Sequence, residues 1–207
     1  MKTKEEINPT DAFNYMKHVL DVSYSIPAAN MQALLRLCKL VIFRKKSIIF
    51  NQGEIANKIY FIHKGIVMAY YFKDEKMVID RFVSEGDFIG GQVSYSTGIP
   101  NNFIFEAIED SVMVEIDVKG FLQLCADDHE VQTMYAAHMT RHFKKYSDMI
   151  VAFRSLNAED KYTTFLKMYG ALINRISMKN IAVFLGMTHE NLSRIRSRYM
   201  KLNAPEK

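Results

Sequence analysis

Cysteine is scarce in this sequence, and its scarcity excludes several kinds of site. The two cysteines, Cys38 and Cys125, lie far apart in the 207 residues. A disulfide framework or a zinc knuckle needs more cysteines at short spacings, and a cysteine-ligated iron–sulfur cluster needs about four thiolates. We therefore expect no disulfide, no metal site and no bound cofactor.

Long apolar runs are also missing. No stretch reaches the roughly 18 apolar residues that a membrane-spanning helix requires. The N-terminus carries Glu5 and Glu6 and is followed by no apolar segment, which is unlike a secretion signal. Hydrophobic residues make up 49% and charged residues 24% of the chain, an ordinary globular composition. The sequence predicts a cytoplasmic protein without membrane contact, with one large domain or two small ones.

Charge is distributed unevenly along the chain. Residues 1–128 hold 14 lysines and arginines against 17 acidic residues, whereas residues 129–207 hold 13 against 6. A basic C-terminal part favours a polyanionic partner such as nucleic acid. Lysine-rich helix surfaces are the alternative explanation.

Hydrophobic periodicity divides the chain into helical and β-rich parts. Residues 10–39 show helical spacing, and residues 40–117 show short apolar runs with turn signals about every ten residues. Short, regularly spaced strands are typical of a sandwich or barrel. The helical period returns from residue 118 onward. The predicted strands cover residues 59–62, 66–72, 77–83, 103–107 and 112–116.

A long helix is predicted from about residue 129 to 153, where neither proline nor glycine interrupts the helical spacing. Asp127 and Asp128 supply N-cap chemistry for it. Its apolar residues occupy more than one stripe, which favours pairing with a second copy of the helix over packing wholly on its own barrel. The predicted dimer contacts are Val131, Tyr135, His138, His142, Met149 and Phe153, beside a row of Met134, Met139, Phe143, Tyr146 and Ile150.

Residues 178–198 have the pattern of two helices joined by a tight turn. Gly186 can adopt the left-handed conformation that ends the first helix, and Thr188 can cap the second. Leu192 and Ile195 are spaced to anchor the second helix to a core. The pattern predicts a helix-turn-helix, whose second helix enters the major groove of DNA.

The outer face of this second helix is polar and basic. Its predicted DNA-binding residues are His189, Glu190, Ser193, Arg194, Arg196, Arg198 and Lys201. The first four lie near the helix start and are expected to contact bases, since arginine can bond guanine twice and glutamate can accept from cytosine. The last three are expected to contact phosphates or solvent. A helical hairpin that binds protein instead of DNA is the alternative.

Several short motifs resemble those of one known family. Gly53-Glu54, followed by residues 59–62 and Gly65, resembles the opening of a cyclic-nucleotide-binding domain. Gly86-Asp87-Phe88-Ile89-Gly90 resembles its G-D-x-x-G turn, and Ala107-Ile108-Glu109-Asp110 resembles the segment that leaves its phosphate cassette. Leu192-Ser193-Arg194 is similar to a recognition-helix core. Together with the order of the parts, these motifs resemble the Crp/Fnr family of bacterial transcription regulators.

The resemblance implies an α+β fold with three parts. Residues 1–128 would form a cupin-like β jelly roll of the cyclic-nucleotide-binding type, residues 129–154 a dimerisation helix, and residues 155–207 a winged helix-turn-helix. Only seven residues follow Met200. Any wing is therefore expected to be small and to lie before the motif, near residues 170–177.

The phosphate cassette departs from the family pattern. Gly91 stands where the family has the glutamate that holds the ribose, and Asn101 stands where it has the arginine that holds the cyclic phosphate. A buried phosphate without its arginine loses a charge-assisted contact, so ordinary cyclic AMP binding is not expected. The residues expected to line a pocket for a different small ligand are Tyr70, Phe82, Gln92, Asn101 and Asn102.

The sequence thus predicts a non-enzymatic, homodimeric regulator that binds a near-palindromic DNA site, with an effector that is unidentified or absent. Its expected partners are double-stranded DNA and a second copy of itself, with RNA polymerase and a small effector as further candidates. The alternatives are an activator that responds to a cyclic nucleotide or another small ligand, a protein-interaction module, and a cupin-type enzyme. Residues 40–117 contain one histidine, His63, whereas a cupin metal site needs two or three.

Overall fold

The computed structural model describes residues 8–24, 26–154 and 156–202. These residues form two compact units. The first unit runs up to Tyr71 and continues from Arg81 to Met139, and the second combines Phe72–Asp80 with the chain from Thr140 onward. The division between the units falls within the long helix, between Met139 and Thr140.

The strands form a β jelly roll of two four-stranded sheets. One sheet has the strand order β1-β8-β3-β6, and the other has the order β2-β7-β4-β5. All strands of the first sheet pair antiparallel with their neighbours. The strands are β1 (Cys38–Phe43), β2 (Ile48–Phe50), β3 (Lys58–Lys64), β4 (Val67–Lys73), β5 (Lys76–Val83), β6 (Phe88–Gly90), β7 (Ile104–Ala107) and β8 (Ser111–Asp117).

Side chains on the two faces of the first sheet enter different cores, because they alternate along each strand. Tyr60 and Met113 point into the interior between the two sheets. Phe61, Val114 and Ile116 point to the other face, where helices cover them. The sheet is therefore buried on both faces.

The helices of the first unit cover that outer face. They are α1 (Pro9–Tyr24), α2 (Ala28–Leu35), α3 (Gln92–Thr97), α4 (Val118–Asp127) and the first part of α5 (His129–Arg154). The prediction of a helix through residue 39 was wrong at its end. Cys38 pairs with Ile116, because the segment that follows α2 continues the sheet as its edge strand.

The bounds predicted for the long helix are confirmed by α5. The side chain of Asp128 accepts hydrogen bonds from the backbone N–H groups of Glu130 (2.9 Å) and Val131 (3.1 Å). These two bonds satisfy donors that the first turn of a helix leaves without partners. The N-cap expected from the sequence is thus formed.

The second unit packs three short helices against the end of α5. They are α6 (Ala158–Tyr169), α7 (Met178–Leu185) and α8 (His189–Leu202). Aromatic rings fill the space between them, with Phe165 and Tyr169 each 5.7 Å from Phe184 between ring centroids. The predicted wing is wrong for the described residues, since 170–177 form a short 3-10 helix (Gly170–Leu172) and turns.

Within the described ranges, no helix combines the length and the apolar character needed to cross a bilayer.

The turn between β3 and β4 depends on Gly65, which has a φ of +118°. A Cβ at this position would lie 2.1 Å from Ser111 Oγ and 2.8 Å from Ser111 Cα.

We expect Gly65→Ala to lower the free energy of unfolding by about 2–4 kcal/mol, because the cost of a strained backbone adds to the cost of overpacking. Gly53 has a φ of +85° with nothing within 4 Å of an added Cβ. Gly53→Ala is therefore the control and should cost only about 1 kcal/mol. Equal losses for the two variants in urea denaturation would contradict this account.

Candidate functional site

The turn of the helix-turn-helix is closed by Gly186. Its φ of +66° and ψ of +38° place it in the left-handed region that ends α7. The N–H groups of Gly186 and Met187 donate to Val183 O (3.1 Å) and Ala182 O (3.0 Å). These bonds satisfy the last carbonyls of α7, and the chain then turns sharply into α8.

The start of α8 is capped and its inner face is anchored. The Thr188 hydroxyl accepts a hydrogen bond from the N–H of Asn191 at 3.2 Å, as the sequence predicted. Leu192 and Ile195 are 0% and 8% exposed, so they hold α8 against the core of the second unit. The rotation of α8 about its axis is fixed by these two side chains.

That rotation leaves most of the predicted DNA-binding residues at the surface. The exposed members of the set are His189, Glu190, Ser193, Arg194, Arg198 and Lys201. Arg194 also donates from Nη2 to Asn191 Oδ1, one helical turn earlier, at 3.5 Å. The structure thus brings His189, Glu190, Ser193 and Arg194 together on the first two turns of one helix.

The carboxylate of Glu190 already has hydrogen-bond donors. Hydrogen bonds from its own backbone N–H and from the Thr188 hydroxyl, together with the nearby His189, lower the pKa of the Glu190 carboxyl. The side chain is fully exposed, and its negative charge lies at the N-terminus of α8, where the helix dipole favours it.

Two arginines of the predicted basic cluster contact other parts of the second unit. Arg196 is half-buried, and its Nη1 lies 3.2 Å from the Sδ of Met178 on α7. Arg198 forms an ion pair with Glu159 in the first turn of α6. Lys201, one turn after Arg198, is exposed.

The cassette of the jelly roll lacks room for the family's glutamate. Gly91 follows β6, and a Cβ added to it would lie 2.3 Å from the Cβ of Ala56. The same contact region is held by a hydrogen bond from Ala56 N to Ser94 Oγ (2.9 Å). Glycine at position 91 therefore allows α3 to pack closely on the chain before β3.

Asn101, at the position of the family's arginine, is bound to its own loop. Its Nδ2 donates to Phe103 O at 2.7 Å, and its backbone N–H donates to Glu54 O at 2.8 Å. Its carbonyl accepts from Gly53 N at 2.8 Å. The residue is buried: its side chain bonds within its own loop, and its backbone joins that loop to residues 53 and 54.

The other predicted ligand-binding residues differ in their burial and in their contacts. The hydroxyl of Tyr70 donates to Glu106 Oε2 at 3.1 Å, and burial and this carboxylate raise the pKa of Tyr70 to about 12. Phe82 is 3% exposed in the core, whereas Asn102 lies at the surface. The side chain of Gln92 lies outside the described residues.

Aromatic side chains occupy the jelly-roll interior. Phe50 packs against Tyr60 and against Phe105 with ring centroids 5.5 Å apart in each pair. The guanidinium of Arg81 lies 5.3 Å from the ring centroids of both Phe103 and Phe105. This cation–π contact places a positive charge near the cassette that the sequence analysis missed, because nothing in the sequence relates Arg81 to residues 103–105.

The predicted dimer stripe on α5 needs a correction in its first half. Val131 is 3% exposed and belongs to the core beneath α1 and α2. The hydroxyl of Tyr135 lies 2.8 Å from the hydroxyl of Tyr95, and His138 Nδ1 lies 2.9 Å from the hydroxyl of Tyr24. These three residues pack within their own chain, because the helical face they share is the one that covers the sheet.

The tyrosine and histidine pairs border a cavity of about 50 Å³ on the outer face of the sheet. Its walls are mostly apolar and include Phe88, Ile116, Phe121, Met134 and Met139. No pattern in the sequence predicts this cavity, since its lining comes from eight separate helices and strands.

Toward its end, α5 exposes a different row. Phe143 is 76% and Ile150 50% exposed. The predicted contacts His142 and Met149 are half-buried, and Phe153 packs on Phe184 with ring centroids 5.5 Å apart. Of the second row noted in the sequence, Phe143 and Ile150 are thus exposed, whereas Met134, Met139 and Tyr146 are half-buried.

Comparison with known proteins identifies the first unit's family. Residues 40–128 match the family described as "Cyclic nucleotide-binding domain". The anaerobic regulatory protein of Haemophilus influenzae is 24% identical over 171 residues, which cover 77% of this chain and 66% of that protein. The cAMP-activated global transcriptional regulator CRP of Escherichia coli is 27% identical over 170 residues, covering 76% of this chain and 80% of that protein.

Solved structures agree on the fold. FixK2 from Bradyrhizobium japonicum has a TM-score of 0.71 with 21% identity, covering 80% of this chain and 85% of that one. The jelly roll, the long helix and the helix-turn-helix thus occur in an order that is already known. With the domain match and the sequence relatives, this arrangement confirms the resemblance to the Crp/Fnr family of transcription regulators.

Proposed function

We propose that this chain is a homodimeric transcription regulator that binds a specific, near-palindromic DNA site. The exposure of His189, Glu190, Ser193 and Arg194 on the anchored first turns of α8 is the observation that carries the proposal. This is the part of a helix-turn-helix that meets base edges in the major groove. The names of the relatives, which are transcription regulators, support the same function.

Each exposed side chain suits a distinct contact. Arg194 can donate two hydrogen bonds to guanine, and Glu190 can accept one from a cytosine amino group. Lys201 lies two turns beyond Arg194 and suits a phosphate, which carries no sequence information. Specificity should therefore depend on the first turns of α8 and affinity on its later ones.

We place the dimer contact on the exposed row of α5. Positions 136, 140, 143, 147 and 150 alternate by four and three residues, the spacing of a coiled-coil seam. All five are exposed, and Phe143 and Ile150 are the large apolar members. Pairing of two such rows would place two recognition helices on half-sites about one helical turn, ~34 Å, apart.

Cyclic AMP is not the proposed effector. The cassette glycine at 91 packs on Ala56, and the Asn101 side chain is bound to Phe103. Between the sheets, Phe50 packs against both Tyr60 and Phe105. A nucleotide would have to displace these contacts without gaining the charge-assisted bond of the family's arginine.

The first prediction separates base reading from phosphate binding. Arg194→Ala should cost about 1–3 kcal/mol on the preferred site and relax one base position in each half-site. Lys201→Ala is the matched control, and it should weaken binding to all sequences alike and reduce the salt slope by about 0.9. Selection of bound sequences from random DNA, followed by salt titrations, measures both effects. Full sequence preference in Arg194→Ala would show that α8 is not the reader.

The second prediction concerns the dimer. Phe143→Glu or Ile150→Glu should yield monomers, because each would bury two unpaired carboxylates in the apolar seam. Val22→Glu makes the same change at another exposed apolar residue, 74% exposed on α1, and should leave the dimer intact. Sedimentation velocity distinguishes the species. Dimers that persist in both α5 variants would exclude this seam.

The third prediction tests the effector. Calorimetry with the full chain should detect no cyclic AMP binding at micromolar concentrations, either in the wild type or in Asn101→Arg. The arginine alone should not restore binding, because aromatic side chains still occupy the interior. The control is DNA binding by the same preparations. Micromolar affinity in the wild type would refute the proposal.

A further inference from the structure

The ion pair between Arg198 and Glu159 links the recognition helix to the start of α6. Glu159 Oε1 accepts a hydrogen bond from Arg198 Nη1. Both side chains are exposed, 69% for Arg198 and 55% for Glu159. The pair thus lies at the surface of the second unit, where a nucleic acid could reach it.

Arg198 lies beside the surface that is proposed to read DNA. It follows Arg194 by four residues, so the two side chains are neighbours on one side of α8. Lys201, proposed to contact a phosphate, is one turn further on. Arg198 thus lies in the later turns of α8, which are proposed above to contact phosphates.

Glu159 and a DNA phosphate would compete for the same guanidinium. Both are oxyanions that accept two hydrogen bonds from arginine. While Arg198 bonds to Glu159, its charge is neutralised, and it releases no counterion from DNA on binding. The neutralisation also relieves the repulsion between Arg194 and Arg198 at a spacing of four residues.

We propose that Glu159 withholds Arg198 from the DNA backbone and so sets how strongly the chain binds DNA of any sequence. The inference rests on the proposed DNA-binding function. Arg196 strengthens it, because that arginine is also turned inward, onto Met178. Of the three basic residues predicted to contact phosphates, Lys201 is then the one that does so in the wild type.

Asp160 provides a matched control. Glu159 and Asp160 occupy the same first turn of α6, and the backbone N–H groups of both donate to the capping Asn157 Oδ1 at 3.0 Å. Both acids interact favourably with the helix dipole. Glu159→Gln and Asp160→Asn each remove one negative charge. Because Glu159 makes the ion pair with Arg198, Glu159→Gln is the variant that frees the Arg198 guanidinium.

The experiment measures binding of the full chain to a fluorescent random-sequence duplex over a range of salt concentrations. Glu159→Gln should steepen the slope of log K against log salt by about 0.9, which corresponds to roughly 8-fold tighter binding at 0.1 M salt if the contact contributes nothing at 1 M. Asp160→Asn should keep the wild-type slope. Arg198→Gln should have little effect alone and should abolish the gain when it is combined with Glu159→Gln.

Two results would overturn the inference while leaving the DNA-binding function intact. One is an equal shift in Glu159→Gln and Asp160→Asn, which would indicate a general charge effect. The other is a flattened slope in Arg198→Gln alone, which would mean that Arg198 already contacts phosphate in the wild type. Failure of the wild type to bind any duplex would instead refute the proposed function. Thermal melting of each variant confirms that the second unit is folded.

Discussion

Burial of the β1-β8-β3-β6 sheet on both faces is the constraint on which the rest of the first unit depends. The inner face packs on the jelly-roll interior, so the outer face needs a second cover, which α1, α2, α4 and the start of α5 supply. Covering the sheet determines the rotation of α5 there, with Val131 turned inward. Because a helix repeats every 3.6 residues, the opposite row of α5 must then face away from the sheet.

The helix-turn-helix could be predicted from the sequence because its determinants are local. Gly186, Thr188 and the spacing of Leu192 and Ile195 act within about ten residues, and the structure uses each as expected. The sequence alone could not decide between the two apolar rows of α5, since they look alike until the sheet beneath one of them is known. The partners of Arg196 and Arg198 come from α7 and α6, and no spacing in the sequence reveals them.

In the cassette, the residues that lack the family's ligand-binding side chains make structural contacts instead. The sequence indicated that Gly91 and Asn101 lack the family's chemistry, but not what they do instead. In the structure Gly91 permits close packing on Ala56, and Asn101 joins its loop to Glu54. Both positions have become parts of the scaffold. Restoring one side chain would therefore disturb packing before it restored a pocket.

The hydrogen bonds of Glu190 bear on how the proposed DNA site tolerates a mismatched base pair. Its carboxylate bonds to the Thr188 hydroxyl before any DNA is present. Meeting a cytosine amino group would exchange one donor for another, and a wrong base would leave the carboxylate on its original partner. A mismatched base at this position therefore leaves no charge without a hydrogen-bond partner. An unpaired charge is the usual cause of a large loss of binding free energy. On the proposed function, a base contact made by Glu190 would rank similar DNA sites by degree instead of rejecting all but one.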